Sequence, residues 1–330
     1  MSTLIVSPAM NRRSFALSSL GLLAASALPA RHVLASPATL AVEALDASAF
    51  NAARRFLKTG FGDIAYVERG QGPAALFLHG FPLNGFQWRG QLERLSPWRR
   101  CLAPDFLGLG YTRVRAGQSL APAAQADMLA AFLDGLGERY VDIVANDSGV
   151  AVAQLFLVKY PDRVRSLLLT NGDTEIDCPP PALLPVIERA KAGAFAREWL
   201  APDLADHDRA RSKIGLGGQT FTYPERIEDA TIDMYLAPLV ANQNLTNGYA
   251  LALEANSLAG TEAVLRQKGQ PVRIIWGTAD PIFTPKAPAY LNALFPNAMG
   301  VREVPGGMLF FPEEFPDLIA EQAKRLWGIA

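Results

Sequence analysis

The chain has 330 residues, 31 Lys and Arg against 32 Asp and Glu, a formal charge of −1, and half of its residues are hydrophobic. That balance describes a globular protein with a large apolar core and excludes a disordered chain, a collagen-like fibre or a coiled coil. With no basic excess, neither nucleic acid nor an anionic membrane surface is an expected partner, and the two cysteines, Cys101 and Cys178, make neither a disulfide framework nor a four-ligand metal cluster.

The chain opens on an address. Arg12-Arg13 is followed by an apolar, Ala/Leu/Ser-rich run over 16–30 and small residues near Ala35. This is the layout of a twin-arginine export signal, so residues 1–35 are expected to be removed and the mature protein to work in the periplasm, with the cytoplasm as the alternative. The run is too short and interrupted to span a bilayer, so no stable membrane insertion is expected. Removal would leave His79 and His207 as the histidines of the mature chain.

From residue 50 onward, short apolar runs alternate with longer helical patterns, which points to an α/β protein with a mostly parallel sheet covered by helices. Strands are expected at 53–59, 63–69, 74–79, 100–104, 140–146, 164–170, 272–277 and 300–304. Helices are expected near 86–95, 121–136, 150–160, 287–294 and 313–327. The short Gly60-Phe61-Gly62 link makes the first two strands an antiparallel edge hairpin. Residues 50–175 and 269–330 read as two parts of one core. Between them, 176–268 opens on Pro179-Pro180-Pro181, loses the strand signal, and reads as a helical cap with breaks at Pro202 and Gly217-Gly218. Cys101 falls in a strand and Cys178 in a loop, so two separate thiols are expected.

The expected strand at 140–146 runs straight into Asp147-Ser148-Gly149 and a helix. Ala145-Asn146-Asp147-Ser148-Gly149 has the form of a nucleophile elbow with Asp in the Ser place. Small neighbours are required because the turn is tight, and the central side chain then stands at a helix N-terminus, beside amide donors and a partial positive charge. An ordinary helix N-cap is the plainer alternative. Two other strand ends converge with it. His79-Gly80-Phe81-Pro82 can aim the Phe81 amide at the same point as the Ser148 amide, an oxyanion-type hole, and Asp105-Phe106-Leu107-Gly108-Leu109-Gly110 adds Gly-rich turns.

On these residues, with Trp88-Arg89 and Trp276-Gly277-Thr278-Ala279-Asp280-Pro281, the stretch from about 50 to 330 resembles the α/β-hydrolase superfamily. It is most similar to the Asp-nucleophile branch of epoxide hydrolases and haloalkane dehalogenases. The resemblance implies an eight-stranded, mostly parallel sheet flanked by helices, with a helical cap. It also implies Asp147 as nucleophile, Asp280 as the usual acid and Asp173 as the acid of the alternative position. The family's base is a His after the last strand, in a Pro-Gly-x-Gly-His-x-x-Pro-Glu-Glu context. Here Pro305-Gly306-Gly307-Met308-Leu309-Phe310-Phe311-Pro312-Glu313-Glu314 aligns without a gap, and Leu309 stands in the His place.

An Asp nucleophile survives that loss better than a Ser, because a carboxylate with an ordinary pKa of about 3.9 is already ionised at neutral pH. Attack on an electrophilic carbon remains possible. Hydrolysis of the resulting ester, which uses the His as general base at a gain of roughly 10²–10⁴-fold, is impaired. Leu309 would desolvate Asp147 and the helix N-terminus would oppose that, so the direction of its pKa stays open. His79 and His207 are the conceivable substitutes, the first reading as structural and the second as a solvated surface residue. Tyr223, Tyr235 and Tyr249 are candidates to polarise a substrate oxygen, Tyr235 preferred, with core packing as the alternative. His79, Trp88, Tyr235 and Leu309 are thus expected to border the substrate pocket. By the same resemblance, Ser148 and Phe81 stand where dehalogenases hold the halide, and Ser148 and Ala151 where fluoroacetate dehalogenases place arginines.

The expected activity is hydrolysis of a small apolar epoxide, ester, lactone or halide through Asp147. The alternatives are a binding or covalent-capture protein without turnover, and a cofactor-free isomerase or lyase with Asp147 as base. No cofactor and no metal are expected; the partner is a small-molecule substrate or ligand, and a homodimer stays open.

Overall fold

A computed structural model describes residues 45–329; the export signal read at 1–35 lies outside them. Nine strands form one sheet: β1 (Arg55–Thr59), β2 (Gly62–Arg69), β3 (Ala74–Leu78), β4 (Arg100–Pro104), β5 (Arg113–Val114), β6 (Val141–Asp147), β7 (Val164–Gly172), β8 (Val272–Gly277) and β9 (Ala298–Val304). Their order is β1-β2-β4-β3-β6-β7-β8-β9, with β5 paired to β2. β1, β2 and β5 join antiparallel, and β4 through β9 along the path run parallel. The central strands β3 and β6 are buried at every residue, whereas the edge strand β1 has only exposed and half-buried positions. Helices on both faces account for the continuous apolar runs of the central strands.

The expected eight strands are present, and β5 is a ninth. Its two residues, Arg113 and Val114, carry no periodic signal, but Gly62 is shaped for them. A Cβ at Gly62, whose φ is +137°, would lie 2.1 Å from the Arg113 carbonyl oxygen. Other boundaries shift for local reasons. Residues 47–53, whose last residue was read as the start of the first strand, form a helix Ala47–Ala53, capped by the Asp46 side chain on the Ala49 amide. The expected C-terminal helix is divided into Phe311–Glu314 and Pro316–Leu326, because Pro316 has no N–H to continue the ladder.

Between β7 and β8 the described chain forms helices and turns. The expected break at Gly217-Gly218 is corrected: both lie inside the short helix Leu216–Thr220. The glycines serve close packing, since a Cβ at Gly218 would meet the Ser212 carbonyl oxygen at 2.2 Å. Pro202 occupies the first turn of Ala201–Ala205, directly after a π-helical turn Ala196–Leu200. Cys101 is buried in β4, Cys178 is half-buried, and the two are unpaired.

Candidate active site

The parallel strands end on one rim, and β6 delivers Asp147 there. Asp147 has φ +56° and ψ −129°, the one positive φ outside glycine among the described residues. Such strain persists only where the surroundings fix it. Here they do. A Cβ at Gly80 would lie 2.5 Å from Cβ of Asp147, one at Gly149 2.7 Å from the Leu78 carbonyl oxygen, and one at Gly172 2.5 Å from the carbonyl oxygen of Asp147. Three glycines from three elements therefore admit the bend, and the helix Ser148–Lys159 starts on the next residue.

The Phe81 amide donates to Asp147 Oδ1 at 2.7 Å. The Ser148 amide and hydroxyl also serve this carboxylate. These donors favour the ionised form, but burial outweighs them and, with the nearby Asp280 charge, lifts Asp147 to about 6. The direction that the sequence left open is therefore upward. Phe81 is held by the cap: its ring stacks on Tyr249 with centroids 5.2 Å apart, and the Tyr249 hydroxyl lies 3.3 Å from Ser148 Oγ.

Above Asp147 opens a cavity of about 420 Å³. Asp147, Ser148, Phe81, Asp173 and Leu309 meet on its core side, and the cap supplies a mostly apolar wall that includes Val186, Phe195, Trp199 and Leu216. The cap also contributes one ion pair, Arg209 with the buried Asp203. Asp173, one residue beyond β7, is 6% exposed. Burial and the Asp147 charge hold its carboxyl well above the usual range.

Leu309 stands on the core side of this cavity. It is buried in the cavity wall, and its carbonyl oxygen accepts from Asn146 Nδ2 at 3.1 Å. Asn146 is fixed in turn: its Nδ2 also donates to Thr170 Oγ1 at 2.8 Å, and its Oδ1 accepts from Gln87 Nε2 at 2.6 Å. Gln87 Oε1 receives the Gly80 amide at 3.0 Å, closing a buried polar chain behind the elbow. Asn146 and Gln87 were not singled out from sequence. The signal for Asn146 was its place in a strand buried on both faces, where an amide must find partners.

Four expected site residues stand elsewhere. His79 is under the site rather than in the cavity wall: its Nε2 accepts from the Phe106 amide at 3.0 Å and its Nδ1 lies 2.9 Å from the Gly80 carbonyl oxygen. With both nitrogens engaged and burial lowering its pKa to about 4, it pins two loops and is no base. Trp88 is fully buried against Phe77, centroids 5.8 Å apart, and does not border the cavity. Tyr235 donates its hydroxyl to Glu313 at 2.7 Å, away from the cavity, so the cap tyrosine at the site is Tyr249. Asp280 lies just behind the wall, accepting from Asn171 Nδ2 at 2.7 Å and from the Ile282 amide at 2.8 Å. His207 is held between Asp229 and Asp233 at 3.3 and 2.9 Å, outside the cavity wall. Asp105 accepts the Gly85 and Tyr111 amides, both at 2.8 Å, and so stitches loops together. Among the described residues, no group of three or more His, Cys, Asp or Glu could hold a metal ion.

Fold, elbow and cap together define an α/β hydrolase, and the family model for the alpha/beta hydrolase fold matches residues 73–315, so the chain belongs to that family. Within it the chain is related to haloalkane dehalogenases and epoxide hydrolases. Haloalkane dehalogenase 2 of Mycobacterium tuberculosis (strain ATCC 25618 / H37Rv) is 29% identical over 288 residues, 83% of this chain and 94% of that protein. Epoxide hydrolase 2 of Siraitia grosvenorii is 42% identical over 101 residues, 30% of this chain and 32% of that protein. Among solved structures, the epoxide hydrolase CorEH shares the fold with a TM-score of 0.69 at 19% identity, covering 83% of this chain and 98% of its own.

Proposed function

We propose that the protein opens a small, largely apolar electrophile, an epoxide, ester, lactone or halide, by attack of the Asp147 carboxylate, and that it releases the resulting ester slowly. One observation carries this reading: a buried carboxylate, fixed through one oxygen by the Phe81 amide at 2.7 Å, faces an apolar cavity in which Leu309 occupies the wall and no described imidazole reaches. Fixing one oxygen leaves the other to attack, and the same amides then stabilise the oxyanion formed when water adds to the ester. Without an imidazole, that second step lacks a factor of roughly 10²–10⁴.

Intact-mass measurement of the mature protein incubated with 1,2-epoxyhexane tests it. The expected outcome is a persistent adduct of one equivalent, lost by more than about 10³-fold in Asp147→Asn. In Leu309→His the adduct should form at a comparable rate and decay about tenfold or more faster. An adduct on another residue, or rapid multiple turnover by the unaltered protein, contradicts the reading. A second reading, Asp147 as base in a cofactor-free elimination or isomerisation, is favoured by one fact: a carboxyl lifted to about 6 is better matched to proton abstraction near neutrality than an ordinary one. We also propose export through the twin-arginine segment, which N-terminal sequencing of the periplasmic fraction tests.

A further inference from the structure

The described residues of this site place a second acid in the cavity that the proposed attack by Asp147 does not use. Asp173 follows Gly172, which pairs across the sheet with Asp147 itself. Two neighbouring strand ends thus bring two carboxyls to the same cavity, at 7% and 6% exposure. They are treated differently. Asp147 accepts the Phe81 amide at 2.7 Å, whereas among the described residues no main-chain amide donates to the Asp173 carboxyl, and the nearby Cys178 thiol pairs with Ser257 Oγ at 3.7 Å. The Asp173 main chain, by contrast, is fixed, with Gln154 Nε2 donating to its carbonyl oxygen at 2.9 Å. A fixed, buried carboxyl without an ion-pair partner, aimed into an apolar cavity beside an anion, is held as the neutral acid.

Resting on the reading of Asp147 as nucleophile, we propose that Asp173 is the proton donor of this site and that the substrate class is a strained cyclic ether rather than an alkyl halide. As an Asp147 oxygen forms its bond to the ring carbon, the ring C–O bond breaks and its electron pair stays on oxygen. That oxygen takes the proton of Asp173, giving a hydroxyalkyl ester on Asp147 and a carboxylate at Asp173. The carboxylate left at Asp173 does not match an imidazole as a base, so the ester persists as proposed above. In the slow step that follows, water adds to the ester carbonyl, its proton passes to Asp173, and the oxyanion rests on the Phe81 and Ser148 amides. Collapse expels the alkoxide, which takes the proton of the regenerated Asp147 acid, and the site returns to one carboxylate and one acid. A halide leaves as an anion and needs no proton, so a donor at this place has a use only when oxygen departs.

Groups facing Asp173 are Asp147 from β6, Asp177 and Cys178 from its own loop, and Tyr249 from the cap helix Gln243–Ala252. None is a cation, and the cation on the cavity wall, Arg209, is paired with Asp203, so these groups do not draw the proton off Asp173. The test compares labelling of Asp147 by 1,2-epoxyhexane and by 1-bromohexane. In Asp173→Asn the ratio of epoxide to bromide rates should fall by about 10²-fold or more. In the unaltered protein, epoxide labelling should rise through about pH 6 as Asp147 ionises and fall again at higher pH as Asp173 loses its proton, while bromide labelling shows only the rise. An unchanged rate ratio, or the same pH profile with both reagents, overturns the proton-donor role while leaving the nucleophile standing. Absence of label from both reagents overturns the nucleophile and this role with it. The pH comparison needs no variant, so a poorly folding Asp173→Asn would not protect the proposal.

Discussion

Strand β6 carries a buried aspartate near each end, Asp142 at 3% exposure and Asp147 at 7%, and the two ends treat the same side chain in opposite ways. Asp142 Oδ2 accepts from Arg99 Nε at 3.1 Å and from Arg165 Nη2 at 2.9 Å, and its Oδ1 accepts the Ser166 hydroxyl at 2.7 Å. Asp147 receives dipoles alone, from the Phe81 amide and from Ser148. A carboxylate locked between two guanidiniums is a poor nucleophile because its lone pairs are already committed. One whose Oδ1 is held by a main-chain amide, with no guanidinium on either oxygen, keeps lone pairs available. The starting rim of the sheet uses charge to fasten elements together, and the finishing rim leaves charge uncompensated where chemistry is possible.

The contrast is broken most forcefully at the starting rim. Asp142→Asn leaves Arg99, itself buried, without its counter-charge, and should destabilise the fold by about 3–5 kcal/mol in urea unfolding. A cost below 1 kcal/mol would mean that this rim is no better fastened than the other. At the finishing rim the sign reverses. Asp147 binds its proton more readily folded than unfolded, so its contribution to stability falls as pH rises from about 3.8 to about 6 and stays lost above that. The ionised form therefore costs the fold about 3 kcal/mol at pH 7. Asp147→Asn should recover about 2–3 kcal/mol at pH 7 and little at pH 4; destabilisation at pH 7 would show that the amides more than compensate burial. The smallest effect belongs to Tyr249→Phe. Its hydroxyl meets Ser148 at 3.3 Å, a long bond, so stability and the rate of Asp147 labelling should change by less than about 1 kcal/mol and threefold. A larger loss of labelling would extend the reactive rim into the cap.

The finishing rim was far more legible in sequence than the starting one. Tight turns between strand and helix force small residues around a protruding side chain, so Asp147, Ser148 and Phe81 could be located from local order alone. Asp142 offers no such trace: its partners Arg99 and Arg165 come from other elements, and their meeting depends on strand order. The same limit explains the choice of Tyr235 over Tyr249. Both sit in cap helices, and helical periodicity fixes which residues share a face but not how that face is rotated over the sheet. Asp280 and Asp173 could be placed after their strands, yet only packing separates them. Asn171 draws Asp280 back behind the wall, and nothing comparable holds Asp173 out of the cavity. Strand β5 was obscure because the backbone there is shaped by a contact distant in sequence, Gly62 against Arg113. The glycine pair at 217–218 instead packs on the turn just before it, at Ser212, and so reads as a break although it lies in a helix.

Leu309 is tethered by its own carbonyl oxygen to Asn146, not by its side chain. That main-chain bond holds the loop without a polar side chain at 309, and the buried Leu309 side chain serves as packing on the cavity wall. A library confined to this single codon would sample acids, bases and spacers within the space that leucine fills.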